Sequence, residues 1–281
     1  MKKRIWKIVL IASLILIVIS TANIIILSRE YQRGINTYAN LEKYANVTQA
    51  SASLATDYDA SSGDSSEDNA KGELTAQEEK NSQPSVNLDI DYDALSEINS
   101  DFVGWIYYEP LEINYPIVLG NDNDYYTHYT FEKEKNSSGA IFMDFLNKAD
   151  FSQFNTIIYG HNMRNGTMFG SLKKLLNNNS IIEDDPYIYI FTKEKIMMYE
   201  ICAAYITDIS SQTYDLTQTS EEQESYLKYI QETADYYWDS PMLENTPSED
   251  IHLITLSTCH GLHSQNRTVI HGVLVHQFIN S

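Results

Sequence analysis

HLITLSTCHGLHSQNRTVIHGVLVHQF, residues 252–278, holds two runs rich in Leu, Ile, Val and Thr on either side of a polar stretch containing Gly261 and Asn266. That pattern predicts two β-strands joined by a loop. Six more runs of the same kind lie upstream: GWIYY (104–108), YPIVLG (115–120), GAIFMD (139–144), NTIIYG (155–160), YIYIFT (187–192) and MMYEICAAYI (197–206). Gly, Asn, Asp or Pro clusters separate them. Helical stretches are few. LDIDYDALSEIN (88–99) has an acidic start and apolar Leu88, Ile90, Leu95 and Ile98. MFGSLKKLLNN (168–178) follows a Gly-rich turn, and EEQESYLKYIQETADYYW (221–238) has Tyr226, Leu227, Ile230 and Ala234 at helical spacing. Many short strands with few helices predict a mainly β fold, a closed or nearly closed barrel with helices on its rim.

Upstream of this domain the chain changes character. Ile8–Leu27 is an uncharged run of Ile, Leu, Val and Ala, preceded by Lys2, Lys3, Arg4 and Lys7. At ~1.5 Å per residue it spans a hydrocarbon core of ~30 Å. The basic cluster predicts a cytoplasmic N-terminus and a C-terminus outside. A cleaved signal peptide is the rival, with a shorter apolar region and a small-x-small site, of which Ser20-Thr21-Ala22 is a poor version. Residues 31–45 read as a continuation of the helix. Residues 46–86 are dominated by small and polar side chains, with Tyr58 as the only aromatic, and cannot bury enough apolar surface to offset ordering. The expected organisation is a basic tail (1–7), a transmembrane signal anchor (8–27), a stem and disordered linker (28–87) and a folded domain (88–281). The net charge of −20 makes nucleic acid an unfit partner, because phosphate binding needs clustered Lys and Arg.

Cys202 and Cys259 are the only cysteines, and the domain is expected outside the cell, where a disulfide is the ordinary reading. Cys202, however, sits inside a strand-like run beside Ala203 and Ala204, as a small buried hydrophobe would. Cys259 ends a run where a strand passes into a polar loop, a place that presents a nucleophile on a rigid support. Periodicity does not decide between the two readings.

A reactive cysteine needs a proton partner and a group that stabilises an oxyanion. His161 ends NTIIYGH, at another strand's end. Arg267 lies at the start of the last apolar run, so a hairpin would place it beside Cys259. An arginine there also fits a plain surface ion pair.

These residues carry a resemblance. TLSTC (255–259), Arg267 and the following V-x-x-G-x-L-V run resemble the sortase signature, and IIYGHNMRNGTMFGSLKKL (157–175) resembles the His segment of class B. DFVGWI (101–106), YPIVLGNDNDYY (115–126) and GAIFMDF (139–145) are also similar to class B. The resemblance implies a sortase β-barrel with N-terminal helices, an extra helix before the Cys-bearing strand, and a membrane anchor on a Gram-positive cell. It implies Cys259 as nucleophile, His161 as acid/base and Arg267 as the stabiliser of carbonyl and oxyanion. Asn123, Tyr159 and Ser257 would line the pocket, with Ser210 and Tyr214 matched more loosely. His260, directly after the cysteine, departs from the common pattern, and His263 and His271 add imidazoles nearby.

The implied reaction is acyl transfer. A secreted protein with a C-terminal sorting signal resembling NP-x-T-N or NP-x-T-G is cleaved after Thr, and the Thr carbonyl passes through a thioacyl-enzyme to an amine of peptidoglycan or its lipid-linked precursor. No metal or organic cofactor is required. Four rival readings stand beside it. A zinc site of Cys259, His260, His263 and His271 lacks a standard ligand spacing. A peptidase would use water as acceptor, and a surface-binding barrel would leave the three residues inert. Pilin-polymerising sortases carry a second membrane segment and a lid, neither of which is expected here.

Overall fold

The computed structural model describes residues 2–49, 86–178, 180–261 and 265–280. Among the described residues there are eleven strands: β1 (Ala45–Gln49), β2 (Val86–Ile90), β3 (Phe102–Tyr108), β4 (Ile113–Leu119), β5 (Ile141–Met143), β6 (Asn155–Tyr159), β7 (Tyr187–Phe191), β8 (Lys195–Asp208), β9 (Tyr236–Tyr237), β10 (Leu253–Cys259) and β11 (Asn266–Ile279). Three helices exceed a single turn or so: α1 (Lys2–Leu41), α2 (Tyr92–Ile98) and α3 (Ser220–Thr233).

The eight runs singled out in the sequence are the eight barrel strands. Their order is β11-β10-β6-β5-β4-β3-β7-β8, and β11 pairs back onto β8 to close the barrel. Closure leaves no barrel edge unpaired, which is what permits so many β-rich segments in one chain without exposed edges. The long β8 and β11 bend around the wall through register shifts at His271/Gly272 and Leu274/His276. Side chains alternate across the wall. Ile254, Leu256, Ile158 and Ile270 point into the main core with Trp105, Tyr199 and Phe191. The intervening residues of β10 and β6 face outwards, and a second apolar cluster of Phe154, Cys202, Tyr226, Ile230, Ile251 and Val273 seats α3 on that side. A capping box fixes the start of α3: Thr219 accepts from Glu222 N, and the Glu222 carboxylate accepts from Thr219 N.

Three expected helices are shorter than the sequence implied. Leu88 and Ile90 lie in β2, buried at every second position. The helix of that segment begins only at Tyr92, where the Asp91 side chain accepts from Ala94 N. The 168–178 stretch forms one turn of 3₁₀ helix, Leu172–Lys174, because Phe169, Leu172 and Leu175 are all drawn into the core. The last predicted helix stops at Thr233, and Tyr236–Tyr237 pairs instead with Ala203 and Ala204. The ends of the predicted linker pair antiparallel as β1 and β2, with Val47 opposite Leu88. The rest of that linker, 50–85, lies outside the described residues. At the N-terminus α1 contains a stretch long and apolar enough to cross a membrane, with a mean hydropathy of 2.7, exposed throughout.

Candidate active site

Three neighbouring strands build the site. β10 is central, parallel to β6 on one side and antiparallel to β11 on the other. The last β6–β10 pair is Tyr159 with Ser257. Two residues further on stand His161, just past the end of β6, and Cys259, the last residue of β10, both lining the same pocket as that pair. Across β10, Cys259 is paired directly with Arg267. The strand pairing therefore brings thiol, imidazole and guanidinium together at one end of three adjacent strands.

They line a single pocket of about 370 Å³. Asn123, Tyr159, Tyr214 and Ser257 line it too, with Thr127, Phe142, Gly160, Ile209 and Thr258. Ser210 does not. Its hydroxyl donates to Asp208 on an exposed turn, and the preceding residue, Ile209, faces the pocket instead. Periodicity gives no warning of this, because 209–219 is a loop with one 3₁₀ turn at Gln212–Tyr214.

The pocket side chains are held by specific bonds. His161 Nε2 lies 2.7 Å from the Thr127 carbonyl. A carbonyl only accepts, so Nε2 carries a proton in both charge states, and Nδ1 is the nitrogen left to exchange one. Asn162 Nδ2 donates to the Cys259 carbonyl at 2.7 Å, tying the end of the histidine segment to the end of the cysteine strand. Arg267 Nη1 donates to the carbonyls of Gln265 and Asn266, which anchors the guanidinium at the pocket mouth.

Asp144, which sequence reasoning passed over although it lies within GAIFMDF, organises the opposite wall. Its Oδ2 accepts from Asn123 Nδ2 at 2.7 Å and from Tyr159 Oη at 2.9 Å, and its Oδ1 accepts from Leu146 N. Asn123 Oδ1 accepts from Phe145 N, so the amide orientation is fixed and one N–H remains as a pocket-wall donor. Tyr159 and Tyr214 rings stack at 6.4 Å, and the Tyr214 and Ser257 hydroxyls share a 2.9 Å bond. Burial raises the pKa of both phenols above the ordinary tyrosine value, so each stays neutral.

Both thiols are free. Cys202 is buried within the second cluster, donates weakly to the His271 carbonyl, and has its thiol pushed up to about 12 by burial. It is inert, as its setting among alanines implied. His271 is also absent from the pocket. Thr255 Oγ1 gives its proton to Asn155, so His271 Nδ1 donates to Thr255, and His271 Nε2 accepts from Tyr205. With both ring nitrogens engaged and the side chain fully buried, it is unfit as a zinc ligand. Among the described residues no cluster of three His, Cys, Asp or Glu could hold a metal ion, and His263 lies outside them.

Comparison with known proteins agrees with this geometry. Residues 106–275 match the sortase domain family. The chain is 33% identical over 183 residues to a sortase B of Listeria monocytogenes, a match covering 64% of this chain and 72% of the relative. It is 32% identical over 174 residues to a sortase B of Staphylococcus aureus, covering 62% and 69% respectively. Among solved structures, Clostridium perfringens sortase B aligns with a TM-score of 0.60 at 31% identity, covering 66% of this chain and 99% of that one. A Staphylococcus aureus sortase B–substrate complex aligns with a TM-score of 0.59 at 28% identity, covering 66% and 84%.

Proposed function

Because the chain belongs to the sortase family of cysteine transpeptidases, with class B relatives, we propose that it cleaves a C-terminal sorting signal of the NP-x-T-N or NP-x-T-G kind after Thr. It joins the Thr carbonyl to an amine of peptidoglycan or its lipid-linked precursor. The observation that carries this reading is the convergence of the three around one pocket: Cys259 on the middle strand, Arg267 paired with it on one side, and His161 just past the end of β6 on the other.

The chemistry follows from that placement. The Cys259 thiolate attacks the Thr carbonyl carbon, and the tetrahedral oxygen's negative charge meets Arg267, whose guanidinium is never deprotonated in a protein. His161 gives the proton on Nδ1 to the departing amine as the C–N bond breaks, leaving a thioacyl-enzyme. The acceptor amine then attacks the thioester and loses a proton to Nδ1, and the C–S bond breaks to return the thiolate. Throughout, the Thr127 carbonyl holds Nε2–H and keeps the ring in one orientation. Asn123 and the Tyr159–Tyr214 stack form the wall on which the sorting signal lies, with Ser257 beneath.

The anchor fits the same reading. Ile8–Leu27 crosses the membrane once, the basic tail stays in the cytoplasm, and the domain works outside on secreted proteins. The test is to incubate the full chain in detergent with sorting-signal peptides and small amines, and to read products by mass. Amide joined at Thr supports the proposal, free Thr carboxylate alone assigns the chain to hydrolysis, and unreacted peptide refutes both.

A further inference from the structure

α1 continues past its apolar stretch and docks on the barrel through one face. Tyr31 and Ile35 are half-buried and Gly34, Tyr38 and Leu41 buried, at helical spacing, whereas Gln32, Arg33 and Asn36 between them are exposed. The approach is close at Gly34: a Cβ there would sit 2.7 Å from Ser138 Oγ and 2.8 Å from Asn136 Oδ1. Asn136 Nδ2 in turn donates to the Glu30 carbonyl at 2.9 Å, and Ser137 N donates to the Glu30 carboxylate at 3.1 Å.

The docked face meets both segments that set His161. On one side the Tyr38 hydroxyl donates to the Gly139 carbonyl at 2.5 Å and accepts from Phe131 N at 3.3 Å. Gly139 has φ +56°, and a Cβ there would lie 2.9 Å from His161 Cδ2 and 3.0 Å from the Thr127 carbonyl oxygen. Its backbone therefore lies flush against the imidazole edge and against the carbonyl that accepts from Nε2. On the other side the Tyr31 hydroxyl accepts from Asn165 N at 3.1 Å, in the loop that follows His161. Tyr38 also packs edge-on against Tyr115 at 5.5 Å, whose hydroxyl accepts from Met168 N at the far end of that loop.

We propose that the juxtamembrane half of α1 is a positioning element of the active site: Tyr38 and Tyr31 brace the two segments that hold His161, so proton transfer depends on the helix that carries the chain to the membrane. This goes beyond the reading of His161 as acid/base and rests on it. Tyr38 lies eleven residues after Leu27, so the brace stands ~16 Å along a continuous helix from the end of the apolar run. A rigid connection of that length ties the catalytic face to a fixed height and orientation, which a flexible tether would not do. Tyr38 acts through the Gly139 carbonyl and not on substrate, so its loss should slow the chemical step and leave binding in place.

The test uses the full chain in detergent micelles, with a quenched sorting-signal peptide as substrate. Tyr38→Phe keeps the ring and removes only the hydroxyl. It is expected to lower kcat about 5- to 30-fold with KM within about twofold, and to shift the acid/base limb of the pH–rate profile. Gly34→Ala, whose Cβ would press on Ser138 and Asn136 just before Gly139 and so lift the helix from its seat, should give the same kcat-selective loss, and it decides the matter if Tyr38→Phe does not fold. Thr37→Ala on the same helix, which loses only an exposed contact to Glu132, should match wild type. Folded Tyr38→Phe or Gly34→Ala chains with wild-type kcat, or with a change in KM alone, overturn the proposal. An inactive wild-type chain overturns the functional reading and this inference with it, so the two failures are told apart.

Discussion

Cys259 closes β10 and His161 lies just past the end of its parallel neighbour β6, each two residues beyond the last pair, Ser257 with Tyr159. Parallel register brings the two strand ends side by side, and the Thr127 carbonyl then fixes the imidazole that follows β6. Asn162 closes the gap beyond the last paired residues by bonding the Cys259 carbonyl.

Removing that strut tests whether the sheet alone suffices. Asn162→Ala should lower kcat/KM about tenfold and stability by about 1 kcal/mol, because the Cys259 carbonyl loses its donor and the two strand ends separate. Peptide-cleavage kinetics and denaturant melts measure both.

Arg267 answers to shape as well as charge. Arg267→Lys keeps the positive charge but loses the planar guanidinium, whose Nη1 bonds the Gln265 and Asn266 carbonyls and which is proposed to face the acyl oxygen. We expect a fall in kcat of about 100-fold with little change in KM, the pattern of an interaction made chiefly in the transition state. Wild-type kcat in this variant would remove Arg267 from the chemistry.

Asp144 predicts a sharper result for a smaller change. Both of its oxygens accept, from Asn123, Tyr159 and Leu146 N. Asp144→Asn is isosteric yet turns one acceptor into a donor aimed at a donor. It should raise KM for the sorting peptide about tenfold and cost about 1–3 kcal/mol of stability, with Cys259 still open to thiol reagents. An unchanged KM would place Asn123 and Tyr159 outside peptide recognition.

His271 predicts the pH dependence of stability. Burial lowers its pKa from 6.5 to about 3, so the folded state keeps it neutral, with Nε2 accepting from Tyr205. The unfolded chain takes up a proton below pH ~6.5 and the folded chain does not. Its contribution is therefore fully present above pH ~6.5 and is lost as pH falls towards 3, by about 1.4 kcal/mol per unit. His271→Gln should be less stable at pH 7 and lack that slope. Denaturant midpoints at pH 7, 6 and 5 for both chains give the comparison.

The barrel strands were legible because closure in a small barrel makes nearly every strand apolar on its inner face, which marks each run, from GWIYY to TVIHGVLVHQF, with a signal of its own. Helix ends were not. Leu88 and Ile90 fit either a helix or a strand over so short a span, and only pairing with β1 decides it. Cys259, His161 and Arg267 stood out as chemically apt residues at strand ends. Their convergence depends on β6 lying beside β10, a contact across about a hundred residues that no local pattern encodes. Ser210 turns away from the pocket and Asp144 escaped notice for one reason. Pocket loops carry no periodicity, so which of two adjacent side chains turns inward is settled by tertiary bonds such as Ser210 to Asp208.

The most direct measurement is the intact mass of the full chain after brief exposure to a sorting-signal peptide with no amine acceptor present. A thioester adduct of the peptide's N-terminal fragment should appear on Cys259, vanish in Cys259→Ala, fall sharply in His161→Ala, and disappear when an amine is added. Cleavage that persists in Cys259→Ala, or an adduct carried on Cys202, would contradict the account.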